Sequence, residues 1–280
     1  MSNIWQYLFQ EEGRPLFYAF LFLLLAAPSF GTLGAYISLK NYNASIGTLA
    51  HASLLGLGLA KYFGYYWGWS YFTPFWGMLL VSGLTAVILF LVESHRNIRI
   101  GTLLNVIWST SMAVGILLLQ RVPGGANMHS YLWGNILIVE KVELWGLVGL
   151  DLVVFLALIL PWRYHQLFMF DEEFARSRGM ATQMYTFIFY LLISYSVIMI
   201  ISVVGILLSL GLFSIPSAVA HLFARNFKQM ILYSCVVLLL SSWLGLAISI
   251  EANAIPGSFI IVVLAVIYVL LATGKYVFHC

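Results

Sequence analysis

The chain has 280 residues, of which 62% are hydrophobic and 8% charged, whereas soluble domains carry roughly 25% charge. That shortfall excludes most soluble classes, and an aromatic content of 16% excludes a disordered chain. A net charge of +3 is too small to imply nucleic-acid binding, and the two cysteines, Cys235 and Cys280, set up neither a disulfide framework nor a zinc site.

The N-terminus reads Met1-Ser2-Asn3-Ile4 and then carries Glu11 and Glu12. Lacking a basic start, it is not expected to be a cleaved signal peptide. Charged residues then cut the chain into apolar blocks, each about the 20 residues that a membrane helix needs. Residues 16–39 form the first block and 41–60 the second, which is interrupted only by His51. Residues 62–92 are the third. Their aromatic opening reads as interfacial, so the crossing is expected to start near Tyr71. Residues 100–120 are the fourth, and 144–161, with Asp151, the fifth. Residues 229–250 and 252–274 close the series.

The uncharged stretch between Arg178 and His221 is too long for one crossing. As a straight helix it would span about 63 Å, against a hydrocarbon core of about 30 Å. It is expected to cross twice, breaking near residues 202–205. About nine crossings result, in an all-α, polytopic transmembrane bundle of eight or nine helices, with residues 1–280 as one membrane domain.

Orientation follows from the basic residues. With the loop at 163–182 in the cytoplasm, nine of the 13 fall on that side: Lys40, Arg96, Arg99, Arg163, Arg176, Arg178, Arg225, Lys228 and Lys275. Arg14, Lys61, Arg121 and Lys141 fall on the other. The N-terminus is then outside. The cluster Tyr65, Tyr66, Trp67, Trp69, Tyr71 and Phe72 reads as an outer aromatic belt.

Ionisable residues within membrane segments are functional candidates. His51 lies in T-L-A-H-A-S-L-L-G, residues 48–56, among small residues that let helices approach closely. It is either a ligand for Zn²⁺, Mn²⁺ or Fe²⁺ or a histidine hydrogen-bonded to a neighbouring helix. Asp151 is either a weaker ligand candidate or a buried carboxylate paired with a polar group. His221, beside Arg225, is a third, interfacial candidate. The loop F-D-E-E-F-A-R-S-R-G, residues 170–179, reads as a short amphipathic helix with acids first, bases last and Gly179 as its C-terminal cap. It is a solvated connection or a docking helix. The sequence has no H-E-x-x-H, G-x-S-x-G or Walker A motif, so those routes to enzyme chemistry or ATP hydrolysis are not expected.

These residues resemble the membrane permease subunit of zinc/manganese/iron-type ABC importers. The resemblance runs over roughly 34–257. T-L-A-H-A-S-L-L-G is similar to the family's histidine-bearing second-helix motif. Y-L-W-G-N-I-L at 131–137 is close to Y-L-F-G-N-I-L, and 171–179 resembles a D-x-x-F-A-x-x-x-G coupling segment. V-V-G-I-L-L at 203–208 and I-P-S-A-V-A at 215–220 resemble its V-G-x-L-L and I-P-A-A-x-A stretches.

The resemblance implies a multi-pass bacterial inner-membrane protein that is not itself an enzyme and binds no permanent cofactor. It implies a second permease subunit, identical or different, and a cytoplasmic ATPase dimer. That dimer would dock on the coupling helix within 163–182, through Asp171, Glu172, Glu173, Phe174, Ala175, Arg176 and Gly179. An extracytoplasmic binding protein would deliver the ion. Several positions depart from the pattern. Gly47 and Gly101 stand where aspartates are usual, Asn253 replaces another, and A-V-A-H at 218–221 replaces A-x-A-R. The implied metal site therefore carries over securely only at His51. Either a different permease supplies the missing carboxylates, or the path binds weakly and the delivery protein selects. A permease for metal chelates and an ATP-independent secondary transporter are the competing readings.

Overall fold

In the computed structural model, residues 14–95, 100–123, 134 and 136–278 are described. Among them the chain is helical, with no strand. Ten α-helices follow in order: α1 (Arg14–Leu39), α2 (Asn43–Trp67), α3 (Pro74–His95), α4 (Ile100–Gln120), α5 (Lys141–Val154), α6 (Trp162–Phe170), α7 (Glu172–Ser177), α8 (Thr182–Phe223), α9 (Phe227–Glu251) and α10 (Pro256–Phe278). A π-helical turn, Phe155–Ile159, extends α5. Seven helices among the described residues are long and apolar enough to cross a membrane, with α8 counted once.

The long uncharged stretch breaks where expected. Gly205 within α8 has φ 82° and ψ 169°, so α8 is two helices joined at a non-helical glycine. Each half is close to one membrane thickness. Every block expected to cross forms a helix, but α2, which carries the second block, is not among the seven that are apolar enough to cross. Two expectations need correcting. The second block does not end near residue 60: α2 continues to Trp67 and stops at Gly68, which has φ 66°. Tyr65, Tyr66 and Trp67 therefore close α2 rather than open the third block. They are exposed there beside Trp69 and Tyr71, as an interfacial belt requires. Helix α6 was not foreseen, because nothing in 162–170 sets an apolar helical stripe apart from its neighbours.

The chain divides into two compact units. One comprises Met1–Ser38, Trp133–Ala157 and Val203–Cys280; the other, Leu39–Leu132 and Leu158–Ser202. In the first, Phe30 meets Phe213 edge to face with centroids 5.0 Å apart, and Tyr36 meets Phe227 likewise at 4.7 Å. In the second, α2 packs on α3 and α4. Backbones nearly touch there: a methyl group on Gly56 would stand 2.2 Å from the Gly77 carbonyl oxygen. Buried hydroxyls knit this unit. Ser194 donates to Ser82 at 3.0 Å and Ser82 to the Leu49 carbonyl at 3.4 Å.

Candidate functional site: a buried histidine and a capped docking helix

His51 sits about a third of the way along α2 and is 7% exposed. Its ring lies nearly parallel to Trp108 of α4, with centroids 4.5 Å apart and planes at 21°. Gly47, one turn earlier, faces the same indole: a methyl group there would lie 2.5 Å from its nearest ring carbon. Seven residues further along both helices, a methyl group on Gly58 would lie 2.7 Å from the Gly115 carbonyl oxygen. This close approach holds α2 and α4 in register. The imidazole Nδ1 is buried and has no hydrogen-bond partner. Leaving such an atom unsatisfied costs about 1–3 kcal/mol. Among the described residues no group of three or more His, Cys, Asp or Glu side chains could hold an ion.

The other two candidates lie in the first unit. Asp151 on α5 accepts a hydrogen bond from the Ser29 hydroxyl. Ser29 follows Pro28 inside α1, where the missing proline N–H interrupts the helical ladder. Asp151 thus has the structural partner that one of its two readings required. His221 is exposed near the end of α8.

The segment 171–179 forms the expected short helix, α7, and its sequence explains both ends. The Asp171 carboxylate accepts the Phe174 N–H at 2.8 Å, an N-cap. Glu172 and Glu173 occupy the first turn and Arg176 the last, each favourable to the helix dipole. The Arg176 guanidinium reaches Glu172 one turn away at 3.1 Å. At the C-terminus, Gly179 N–H donates to Arg176 O at 3.0 Å and Met180 N–H to Ala175 O at 3.1 Å, the Schellman pairing. It needs a left-handed residue, and Gly179 has φ 78°. Ala175 is fully buried and anchors the helix. Phe174 is 43% exposed, with the Arg178 guanidinium 5.1 Å from its ring centroid.

Around α7 lies a polar network that sequence reasoning missed. Lys40, in the turn leading into α2, stands 3.6 Å from Glu172 and 4.2 Å from the Phe168 ring centroid. Tyr42, at the N-cap of α2, donates to Glu93 near the end of α3 and stacks on Tyr190 at 5.2 Å. Burial, and then the Glu93 carboxylate, push the Tyr42 phenol well above its ordinary range. Glu93, Ser94, Glu172, Arg176, Gln183 and Thr186 line a polar cavity of about 170 Å³. The one sequence signal was Lys40, an isolated charge between two apolar blocks. Its partners are more than a hundred residues away in sequence.

Of the sequence motifs, Y-L-W-G-N-I-L is described only at Gly134, Ile136 and Leu137; its other residues lie outside the described residues, as do Arg96, Arg99, Glu11, Glu12 and Cys280. Gly134, with φ 64°, packs against V-V-G-I-L-L: a methyl group on it would lie 2.5 Å from the Gly205 nitrogen.

Residues 14–275 match the profile of the ABC 3 transport family. A probable metal transport system membrane protein of Treponema pallidum is 31% identical over 267 residues, covering 95% of each chain. The manganese import system permease protein ScaB of Streptococcus gordonii is 26% identical over 238 residues, covering 85% of this chain and 83% of that one. The solved structure of PsaBC from Streptococcus pneumoniae in complex with Fab superposes with a TM-score of 0.82 at 23% identity. It covers 96% of this chain and 94% of that one, a likeness of fold. The chain, a multi-pass membrane protein by its helices, belongs to the ABC 3 transport family.

Proposed function

We propose that this chain is the membrane-spanning subunit of an ATP-driven importer of a divalent transition-metal ion, with His51 on the ion's path. The observation that carries the reading is the Nδ1 of His51, buried within α2 without a hydrogen-bond partner. Such a nitrogen has the chemistry of an ion ligand, and imidazole suits Zn²⁺ and Fe²⁺ sites. Relatives named as manganese import and metal transport permeases support the same class of cargo.

Helix α7 is the dock for a separate cytoplasmic ATPase dimer. It is short, capped at both ends, anchored by Ala175, and exposes Phe174 and Glu173. ATP binding closes the ATPases, α7 carries that motion into the permease pair, and the ion passes His51 as access alternates. An extracytoplasmic metal-binding protein delivers it. The test is uptake of Zn²⁺, Mn²⁺ and Fe²⁺ in competition by vesicles holding the complete transporter. His51→Ala should abolish ATP-dependent uptake of the preferred ion; full uptake by that variant would sink the proposal.

A further inference from the structure

We propose that the polar cavity beside α7 is a socket for a basic side chain, arginine above all, which the cytoplasmic ATPase inserts as it docks. The proposal rests on the reading of α7 as the dock and adds a second contact, made in the opposite direction. Three elements wall the cavity: Glu93 and Ser94 at the end of α3, Glu172 and Arg176 of α7, and Gln183 and Thr186 at the start of α8. Arg176 and Gln183 are exposed. One wall is α7 itself, so a protein seated on that helix lies across the opening.

The lining carries an unmatched charge. Glu93 accepts from the Tyr42 hydroxyl through one carboxylate oxygen, but its Oε2 is buried without a hydrogen-bond partner. The Tyr190 hydroxyl nearby is also buried without a partner, yet it is neutral and cannot match a charge. Both cations of the cluster pair with Glu172 instead, Lys40 at 3.6 Å and Arg176 at 3.1 Å. A buried carboxylate is costly unless a positive charge or donor meets it. The other lining groups restrict what can do so. Ser94 donates its proton to the Phe90 carbonyl at 2.9 Å, and Thr186 to the Thr182 carbonyl at 3.2 Å. Both hydroxyls therefore offer the cavity only lone pairs, and the Gln183 carboxamide has an oxygen to add. An acceptor-rich lining fits a group that only donates. Guanidinium is such a group, planar, with five N–H donors and weak hydration. The cavity, about 170 Å³, has the room of about five water molecules, enough for that head. A bare divalent ion would bring two charges to one unmatched carboxylate and would face Arg176.

The experiment uses the full-length permease in lipid nanodiscs and its purified ATPase, with binding followed by interferometry. Glu93→Gln removes the charge and keeps an acceptor for Tyr42. It should weaken ATPase binding at least tenfold, while the thermal midpoint of the permease alone does not fall. A fall in both would mark a structural role and overturn the proposal. Replacing the ATPase's surface arginines and lysines by alanine, one at a time, should find one position that costs wild type at least tenfold and E93Q less than twofold. No such position, or E93Q binding within twofold of wild type, would overturn the socket. So would Mg²⁺ binding to the permease alone, read by calorimetry and lost in E93Q, since the cavity would then hold an ion. Phe174→Ala, on the exposed side of α7, separates the two levels. If neither F174A nor E93Q weakens ATPase binding, the reading of α7 as the dock fails. If only F174A weakens it, the dock stands and the socket alone fails.

Discussion

Gly134 and Gly205 meet backbone to backbone. A methyl group on Gly134 would stand 2.2 Å from the carbonyl carbon of Val204 and 2.5 Å from the nitrogen of Gly205. Both glycines have positive φ, 64° and 82°. The contact seats a glycine turn on the break in α8, so two motifs far apart in sequence serve one structural feature. Gly134→Ala must push that backbone away and also hold a left-handed alanine. The cost should be about 2 kcal/mol or more. It would be read as a fall in thermal midpoint in detergent, and an unchanged midpoint would contradict the contact.

The pair Lys40 and Glu172 predicts a coupling defect without a folding defect. The ion pair is partly exposed, and such pairs are worth at most about 1 kcal/mol. Yet it joins α7 to the turn that leads into α2, the helix of His51. Lys40→Ala should lower ion uptake per ATP hydrolysed several-fold while leaving the thermal midpoint within a degree or two. The charge exchange K40E with E172K should recover part of the loss. Full coupling in Lys40→Ala would show that the pair transmits nothing.

Gly179→Ala tests the cap. A left-handed alanine costs about 1–2 kcal/mol, enough to fray a helix of six residues. The amides of Gly179 and Met180, bonded to Arg176 and Ala175 in the structure, should exchange with deuterium at least several-fold faster. Recovery of the ATPase with the permease on purification should fall in parallel. Unchanged exchange would mean that the Schellman bonds are not what holds α7.

Asp151 is predicted to act on stability. Asp151→Ala would strand the Ser29 hydroxyl, which is fully buried, at a cost of about 1–3 kcal/mol. The preference among Zn²⁺, Mn²⁺ and Fe²⁺ should not change. A variant of normal thermal midpoint with altered ion preference would assign Asp151 to the ion path instead.

The legible parts of this protein were the local ones. The break in α8 announced itself through length and a glycine. Helix α7 could be read from its acids, its bases and Gly179, since caps and dipoles involve only residues a turn or so apart. The end of α2 was misplaced because Lys61 was taken as a boundary. A lysine can lie along a helix with its charge directed to the interface, and α2 runs about two turns further than expected, to Trp67. Helix α6 stayed hidden because its nine residues carry charge, aromatics and histidine without a clean period.

By itself, the sequence determined that this chain is a stack of apolar helices, where most of them begin and end to within a few residues, α2 and α6 excepted, and that His51 is the one ionisable residue within its apolar block. Hydrophobic run length, capping and glycine conformations decide these within a few turns of chain. Only the tertiary structure decided that Trp108 covers Gly47 and His51, that Asp151 pairs with Ser29, and that Glu93 and Lys40 reach Tyr42 and α7. The physical reason lies in the helices themselves. When a helix is apolar on every side, its periodicity no longer says which face meets which neighbour. The rotation of α2 against α4 follows instead from where two glycines let the backbones touch.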